Sequence, residues 1–237
     1  MNDASPFGVI FDMDGVLVDS AEPHFRSWQR LAEELGRPVS RDQFAGTFGR
    51  QNRDIIPILF GAMTDDRMHV LSERKEELYR AMIRDNPPII AGAVELVEQL
   101  SRAGIRLAVG SSGPRANIEL VLDATRVREQ FAAIICAEDV SRGKPDPQVF
   151  QLAASRLRLP PSQCVVIEDA PAGIQAAKSA GMFAVAVLTT HPREAFEGPD
   201  ASAKHDQIVN RLSDLSPSVL QALCVSGSGG AEACSQR

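Results

Sequence analysis

Five short apolar runs dominate what this chain can fold into: Phe7–Phe11, Ile105–Val109, Ala132–Cys136, Cys164–Ile167 and Phe183–Val187. Each is continuous rather than alternating, as expected of a strand buried on both faces. Between these runs lie helical patterns at Ala93–Ala103, Arg115–Leu122, Pro147–Leu157 and Ala172–Gly181. Strand-helix alternation of this kind predicts an α/β fold, a Rossmann-like parallel sheet with helices on both faces.

The stretch from about 21 to 87 breaks that rhythm. It has helical patterns at Pro23–Leu35, Asp54–Phe60 and Asp65–Arg84 but no buried-strand run. Ser20 suits an N-cap and Gly36 a helix stop. The expected organisation is an α/β core from 1–20 and 88–225, an all-helical cap at 21–87 inserted after the first strand, and a flexible tail at 226–237. Linkers near Asp19–Ala21 and Asn86–Ala91 would join that insertion to the core.

Composition enters as a filter. The 237 residues carry 25 Lys+Arg against 31 Asp+Glu, a net charge of −6, and no basic stretch suits nucleic acid. No apolar run approaches the roughly 20 residues of a membrane helix. Cys136, Cys164, Cys224 and Cys234 lack zinc or disulfide-framework spacing, and the first two sit in apolar runs. The N-terminus lacks the pattern of a secretory signal, so a reduced, cytoplasmic protein is expected, with no nucleic acid, membrane or protein partner indicated.

The residues that carry chemistry stand where the apolar runs end. Asp12-Met13-Asp14-Gly15 leaves the first run. In a parallel sheet, ligands bind beyond the carboxyl ends of the strands, so one carboxylate suits a nucleophile and the other a general acid and base; an Asx-type turn alone also suits DxDG. Glu168-Asp169 leaves the fourth run. Adjacent carboxylates repel unless a cation lies between them, and with Asp12 they offer oxygens fit for Mg²⁺; helix capping by Asp169 is the plainer alternative. Ser111 and Ser112 precede Gly113-Pro114 and a helix, which suits anion binding or an ordinary N-cap. Lys144, between Gly143 and Pro145, is one of only four lysines and sits on a stiff loop, placed for phosphate, for a carboxylate cluster or for solvent. The joint set suits phosphoryl transfer, and the loops GxxxxGK[ST] and GxGxxG are absent.

Phe11-Asp12-Met13-Asp14-Gly15-Val16-Leu17-Val18-Asp19-Ser20, Ser111, Lys144 in GKPDP, and Glu168-Asp169-Ala170-Pro171-Ala172-Gly173-Ile174 resemble the four motifs of the haloacid dehalogenase superfamily. The early helical insertion is similar to that of its subfamily with a small α-helical cap, which includes sugar-phosphate phosphatases and β-phosphoglucomutase. The resemblance spans roughly residues 7 to 190, and Asp14 marks the phosphate-handling members. It implies that Asp12 forms an aspartyl-phosphate and that Asp14 protonates the leaving alcohol and then activates the incoming water or hydroxyl. It implies that Ser111 and Lys144 hold the phosphate. Mg²⁺ would sit on Asp12, the Asp14 backbone carbonyl and Asp169, with Glu168 bound directly or one layer out.

Within the insertion, His24-Phe25-Arg26-Ser27-Trp28 resembles the first cap helix of β-phosphoglucomutase, and Arg50 and Lys75 align with cap cations that bind a second phosphate there. Each also has an ordinary reading, His24 as hinge packing and both cations as solvated face residues. The expected activity is a Mg²⁺-dependent phosphatase acting on a small phosphorylated metabolite such as a sugar phosphate. The alternative is a hexose-phosphate mutase with the same nucleophile. A phosphonate hydrolase would need Lys75 for a Schiff base, and a non-catalytic binding module is disfavoured because all four motifs are present.

Overall fold

The computed structural model describes residues 7–47, 50–197 and 204–228. Six strands form one parallel sheet: β1 (Gly8–Phe11), β2 (Arg106–Gly110), β3 (Phe131–Ile135), β4 (Cys164–Glu168), β5 (Phe183–Val187) and β6 (Gln207–Val209), in the order β3-β2-β1-β4-β5-β6. The five apolar runs became β1 to β5. β6 was not expected, because three residues, of which only Val209 is buried, make no run.

Among the described residues ten α-helices accompany the sheet. Four lie between β1 and β2 in an insertion: α1 (Ala21–Glu34), α2 (Arg41–Ala45), α3 (Asn52–Phe60) and α4 (Asp65–Ile83). The others are α5 (Ala93–Arg102), α6 (Arg115–Thr125), α7 (Gln148–Leu157), α8 (Pro171–Ser179), α9 (Glu194–Glu197) and α10 (Pro217–Ser228). α10 corrects the expected tail start at 226, since its backbone stays helical to Ser228; the rest of that tail lies outside the described residues. Among the described residues no helix is long and apolar enough to cross a membrane.

Alternate strand residues face opposite layers, and both layers are apolar. Val9, Phe11, Val109, Ile167 and Val185 pack with Leu96, Leu100, Ile118 and Leu220 of α5, α6 and α10. Ile10, Ala108, Val166 and Ala184 pack with Phe150, Ala153, Ile174 and Ala177 of α7 and α8. Complete burial of a Val, Ile or Phe contributes about 1.5–3 kcal/mol, and continuous runs gain it on both sides of the sheet. Strand order reverses between β1 and β4, which are hydrogen-bonded neighbours from Gly8↔Cys164 to Phe11↔Ile167. That junction is where a doubly wound sheet opens a crevice at its carboxyl edge.

The insertion buries its own cluster, including Phe25, Trp28, Leu31, Ile56, Phe60 and Leu71. Gly36 ends α1 as expected, with φ 65°, a left-handed conformation that spares glycine the Cβ clash. Ser20 stands at the N-cap position but makes no capping bond, because its hydroxyl is buried beside Asp14 and Tyr79. α2 was missed despite a capping box in which Ser40 and Gln43 exchange hydrogen bonds. Both connections to the sheet run side by side: Asp19 N–H donates to Pro88 O at 2.7 Å and Ile90 N–H to Leu17 O at 3.1 Å.

Candidate active site

Asp12, Glu168 and Asp169 stand at the ends of the neighbouring strands β1 and β4, each nearly sealed from solvent. One oxygen from each lies within 4.8 Å of the others. Lys144 arrives from the loop before α7 and donates to Asp12 Oδ1 and Glu168 Oε1, both at 2.7 Å. Glu168 Oε2 accepts the Ala170 N–H at 2.6 Å, so both its oxygens are held. Asp169 Oδ2 is buried with no hydrogen-bond partner.

Three buried carboxylates face one ammonium, and their acidities register it. Burial pushes Asp12 up to about 7; Lys144 opposes this, while Glu168 and Asp14 add to it. Asp169 is raised well above the usual carboxylate range by burial and then by Glu168 and Asp12. Burial works against the Lys144 charge, but Asp12 and Glu168 outweigh it and hold the ammonium above its ordinary pKa. An all-oxygen donor set with an orphaned buried oxygen and a surplus of negative charge fits a hard divalent cation.

Asp14 stands apart from that cluster, 27% of its side chain exposed, and is met by His24 Nε2 at 3.3 Å. Burial raises its pKa, but His24, Ser20 and Lys75 together pull it below the ordinary value. The two carboxylates are thus shifted in opposite directions, Asp12 above and Asp14 below the ordinary value.

Two glycines make the close approaches possible. A Cβ on Gly173 would stand 1.7 Å from Glu168 Oε1, and one on Gly15 would stand 1.9 Å from Asp169 Oδ2. Gly15 also has φ +75°. Thr190 lies beside Asp169 and works against the rise in its pKa, and Thr189 Oγ1 donates to the Gly15 carbonyl. No motif pattern pointed to these threonines, though they leave β5 at the same sheet edge as the acids leave β1 and β4.

Ser111 is buried at the end of β2, where its Oγ accepts the Gly113 N–H at 3.0 Å. A Cβ on Gly113 would lie 3.4 Å from Ser111 Oγ and 3.6 Å from Asp14 Oδ2, so this loop faces the same crevice. Ser112 follows it, half-buried. The first N–H of α6, that of Arg115, is taken by Glu138 Oε1 at 3.1 Å.

Of the predicted insertion residues, His24 and Lys75 join the site and Arg50 does not. Lys75 is 2% exposed, not solvated; its Nζ lies 2.7 Å from His24 Nδ1 and 2.8 Å from Glu76 Oε1. His24 stacks on Tyr79 with ring centroids 4.0 Å apart. Arg50 is exposed on the bend before α3. Gln51 was overlooked: its Nε2 is buried without a partner, and its side chain lies against Gly143.

The sequence model of the haloacid dehalogenase-like hydrolases matches residues 8–181. The chain belongs to that family. Validoxylamine A 7'-phosphate phosphatase of Streptomyces hygroscopicus subsp. limoneus is 37% identical over 82% of this chain and 92% of its own. β-Phosphoglucomutase of Bacillus subtilis is 35% identical over 90% of this chain and 92% of its own. The solved structure of β-phosphoglucomutase from Clostridium difficile superposes with a TM-score of 0.81 at 25% identity, covering 94% of this chain and 99% of that one. Phosphatases, one of them named for phosphorylated carbohydrates, and a β-phosphoglucomutase both stand among its relatives, and this chain is an enzyme of that group.

Proposed function

We propose that the protein is a Mg²⁺-dependent phosphatase that hydrolyses a small phosphorylated polyol or sugar through an aspartyl-phosphate on Asp12. The observation that carries this reading is the convergence of Asp12, Lys144, Glu168 and Asp169 at the sheet's crevice, with Asp14 beside them. Asp12, Asp169 and the Asp14 carbonyl would hold Mg²⁺, and Glu168, already engaged by Lys144 and Ala170, would orient the cluster. Bound there, the ion neutralises carboxylate and phosphate charge.

Asp12 attacks phosphorus along the line of the departing alkoxide, and its ester oxygen becomes bonded to the phosphoryl group. Lys144 and Ser111 bind the phosphoryl oxygens as charge shifts among them. A phosphate dianion bound beside Asp14 favours the protonated carboxyl, which gives its proton to the leaving alcohol. Once the alcohol departs, the Asp14 carboxylate takes a proton from a water whose oxygen bonds to phosphorus as the Asp12–phosphorus bond breaks, releasing inorganic phosphate and restoring the Asp12 carboxylate, and His24 fixes the orientation of Asp14. The four insertion helices form a cap, and its closure excludes bulk water from the first step.

The mutase reading shares every core residue and draws its support from the 35% identical relative. It needs free positive charge on the cap for a second phosphate. Lys75 has its charge met by Glu76, which favours hydrolysis of a monophosphate. We further assign the protein to a reducing cytoplasm, in keeping with Cys136 and Cys164, both buried and outside any disulfide.

The test is phosphorus NMR of the protein with Mg²⁺ and a panel of sugar and polyol phosphates, one arm holding β-glucose 1-phosphate with a trace of glucose 1,6-bisphosphate. Inorganic phosphate should grow as substrate disappears. Glucose 6-phosphate growing without free phosphate would replace the phosphatase reading with the mutase one.

A further inference from the structure

Glu76 is 5% exposed on α4, while Asp65, Asp66, Glu73 and Glu77 of the same helix face solvent. Both its oxygens are used. Oε1 accepts from Lys75 Nζ at 2.8 Å and Asn52 Nδ2 at 2.7 Å, within the insertion. Oε2 accepts from Asn117 Nδ2 at 2.6 Å, and Asn117 belongs to α6 of the sheet. The same amide's Oδ1 accepts from Arg80 at 3.0 Å, one turn further along α4. Asn117 is therefore gripped at both ends by the insertion.

The opposite side of this network leads to Asp14. A lysine ammonium has donors only, so at 2.7 Å from His24 Nδ1 it forces that nitrogen to accept. The ring proton then sits on Nε2, the atom that faces Asp14 Oδ1 at 3.3 Å. Lys75 is buried between Trp28 and Tyr79, with Nζ 5.4 and 5.3 Å from their ring centroids. Without a counter-charge, burial disfavours the ammonium, and a neutral amine can accept as well as donate. The direction of the Lys75–His24 bond thus depends on Glu76.

We propose that Glu76 is a positioning residue: through Asn117 it ties the insertion to the sheet, and through Lys75 it fixes His24 as the Nε2–H tautomer that donates to Asp14. Both junctions, Glu76–Asn117 and His24–Asp14, join the insertion to the sheet, so seating the insertion makes them together. The consequence for turnover rests on the reading of Asp14 as the acid and base; the tautomer does not.

The experiment uses the whole protein labelled with ¹⁵N-histidine, with His24→Gln identifying the His24 signals, alongside kcat and KM for the best sugar phosphate. In the parent protein His24 should be the Nε2–H form. Glu76→Gln should give a tautomer mixture and lower kcat about tenfold while KM changes less than threefold. Asn117→Ala leaves the Lys75–Glu76 pair and should keep the tautomer while lowering kcat. Glu76→Gln with parental tautomer and kcat overturns the proposal, as does Asn117→Ala with parental kcat, which stands as the test if Glu76→Gln does not fold. Absence of turnover by the parent protein would defeat the phosphatase reading, while the tautomer change still decides the role of Glu76.

Discussion

Lys144 Nζ lies 2.7 Å from Asp12 Oδ1, although 132 residues separate them in the chain. The contact gives the buried Asp12 one opposite charge, and Glu168 must share it. One ammonium between three buried carboxylates leaves negative charge uncompensated, and the first two predictions follow from that imbalance.

Mg²⁺ should stabilise the fold and change how its stability depends on pH. Asp12 has a folded pKa of about 7 against an ordinary 3.8, so between those values the folded state binds more protons than the unfolded one. Stability of the metal-free protein should therefore fall as pH rises from about 4 to 7. Saturating Mg²⁺ should flatten that fall and raise Tm most at the upper end. Melting curves with and without the ion measure both, and Asp169→Asn should weaken the ion's effect.

Asp12→Asn should abolish turnover by at least about 10³-fold, as loss of a nucleophile does. In metal-free buffer at pH 7 it should not lower Tm, because it removes a carboxylate whose charge is disfavoured there. Steady-state assay and calorimetry on one preparation check the two halves together.

Gly173→Ala inverts the usual helix rule. In a helix interior this change ordinarily gains up to about 1 kcal/mol. Here the new Cβ would stand 1.7 Å from Glu168 Oε1, so the carboxylate must leave its place beside Lys144. A net loss of about 1–3 kcal/mol by urea denaturation is expected, with activity lost as well.

Lys75→Met should cost about 3 kcal/mol, since it strips the buried Glu76 of its cationic partner. Glu76 is pulled down to about 2, against burial, chiefly by Lys75. Its folded pKa lies below the ordinary 4.5, so its stabilisation is full above 4.5 and is lost as pH falls towards 2. The penalty of Lys75→Met should accordingly shrink at acid pH, and adding Glu76→Gln should recover much of it at pH 7.

The sheet was legible because burial on both faces writes a continuous apolar run, and the acids were legible because they end those runs. β6 was not, since an edge strand of three residues needs no such run. Glu76 hid in Glu73-Arg74-Lys75-Glu76-Glu77, which reads as a solvated face, and Lys75 stood out there by resemblance alone. A signal was present: Leu71, Lys75, Tyr79 and Ile83 recur every four residues and are all buried, so the lysine occupies an apolar stripe. Asn117 and Thr190 left no comparable trace, because only tertiary packing sets them against Glu76 and Asp169.

The most direct test of the central claim is acid quenching of the protein during turnover of a substrate labelled on its phosphoryl group, followed by peptide mapping. The label should be on Asp12, in a linkage cleaved by hydroxylamine, and should be absent from Asp12→Asn. A label on any other residue, or undiminished turnover by Asp12→Asn, would contradict the account.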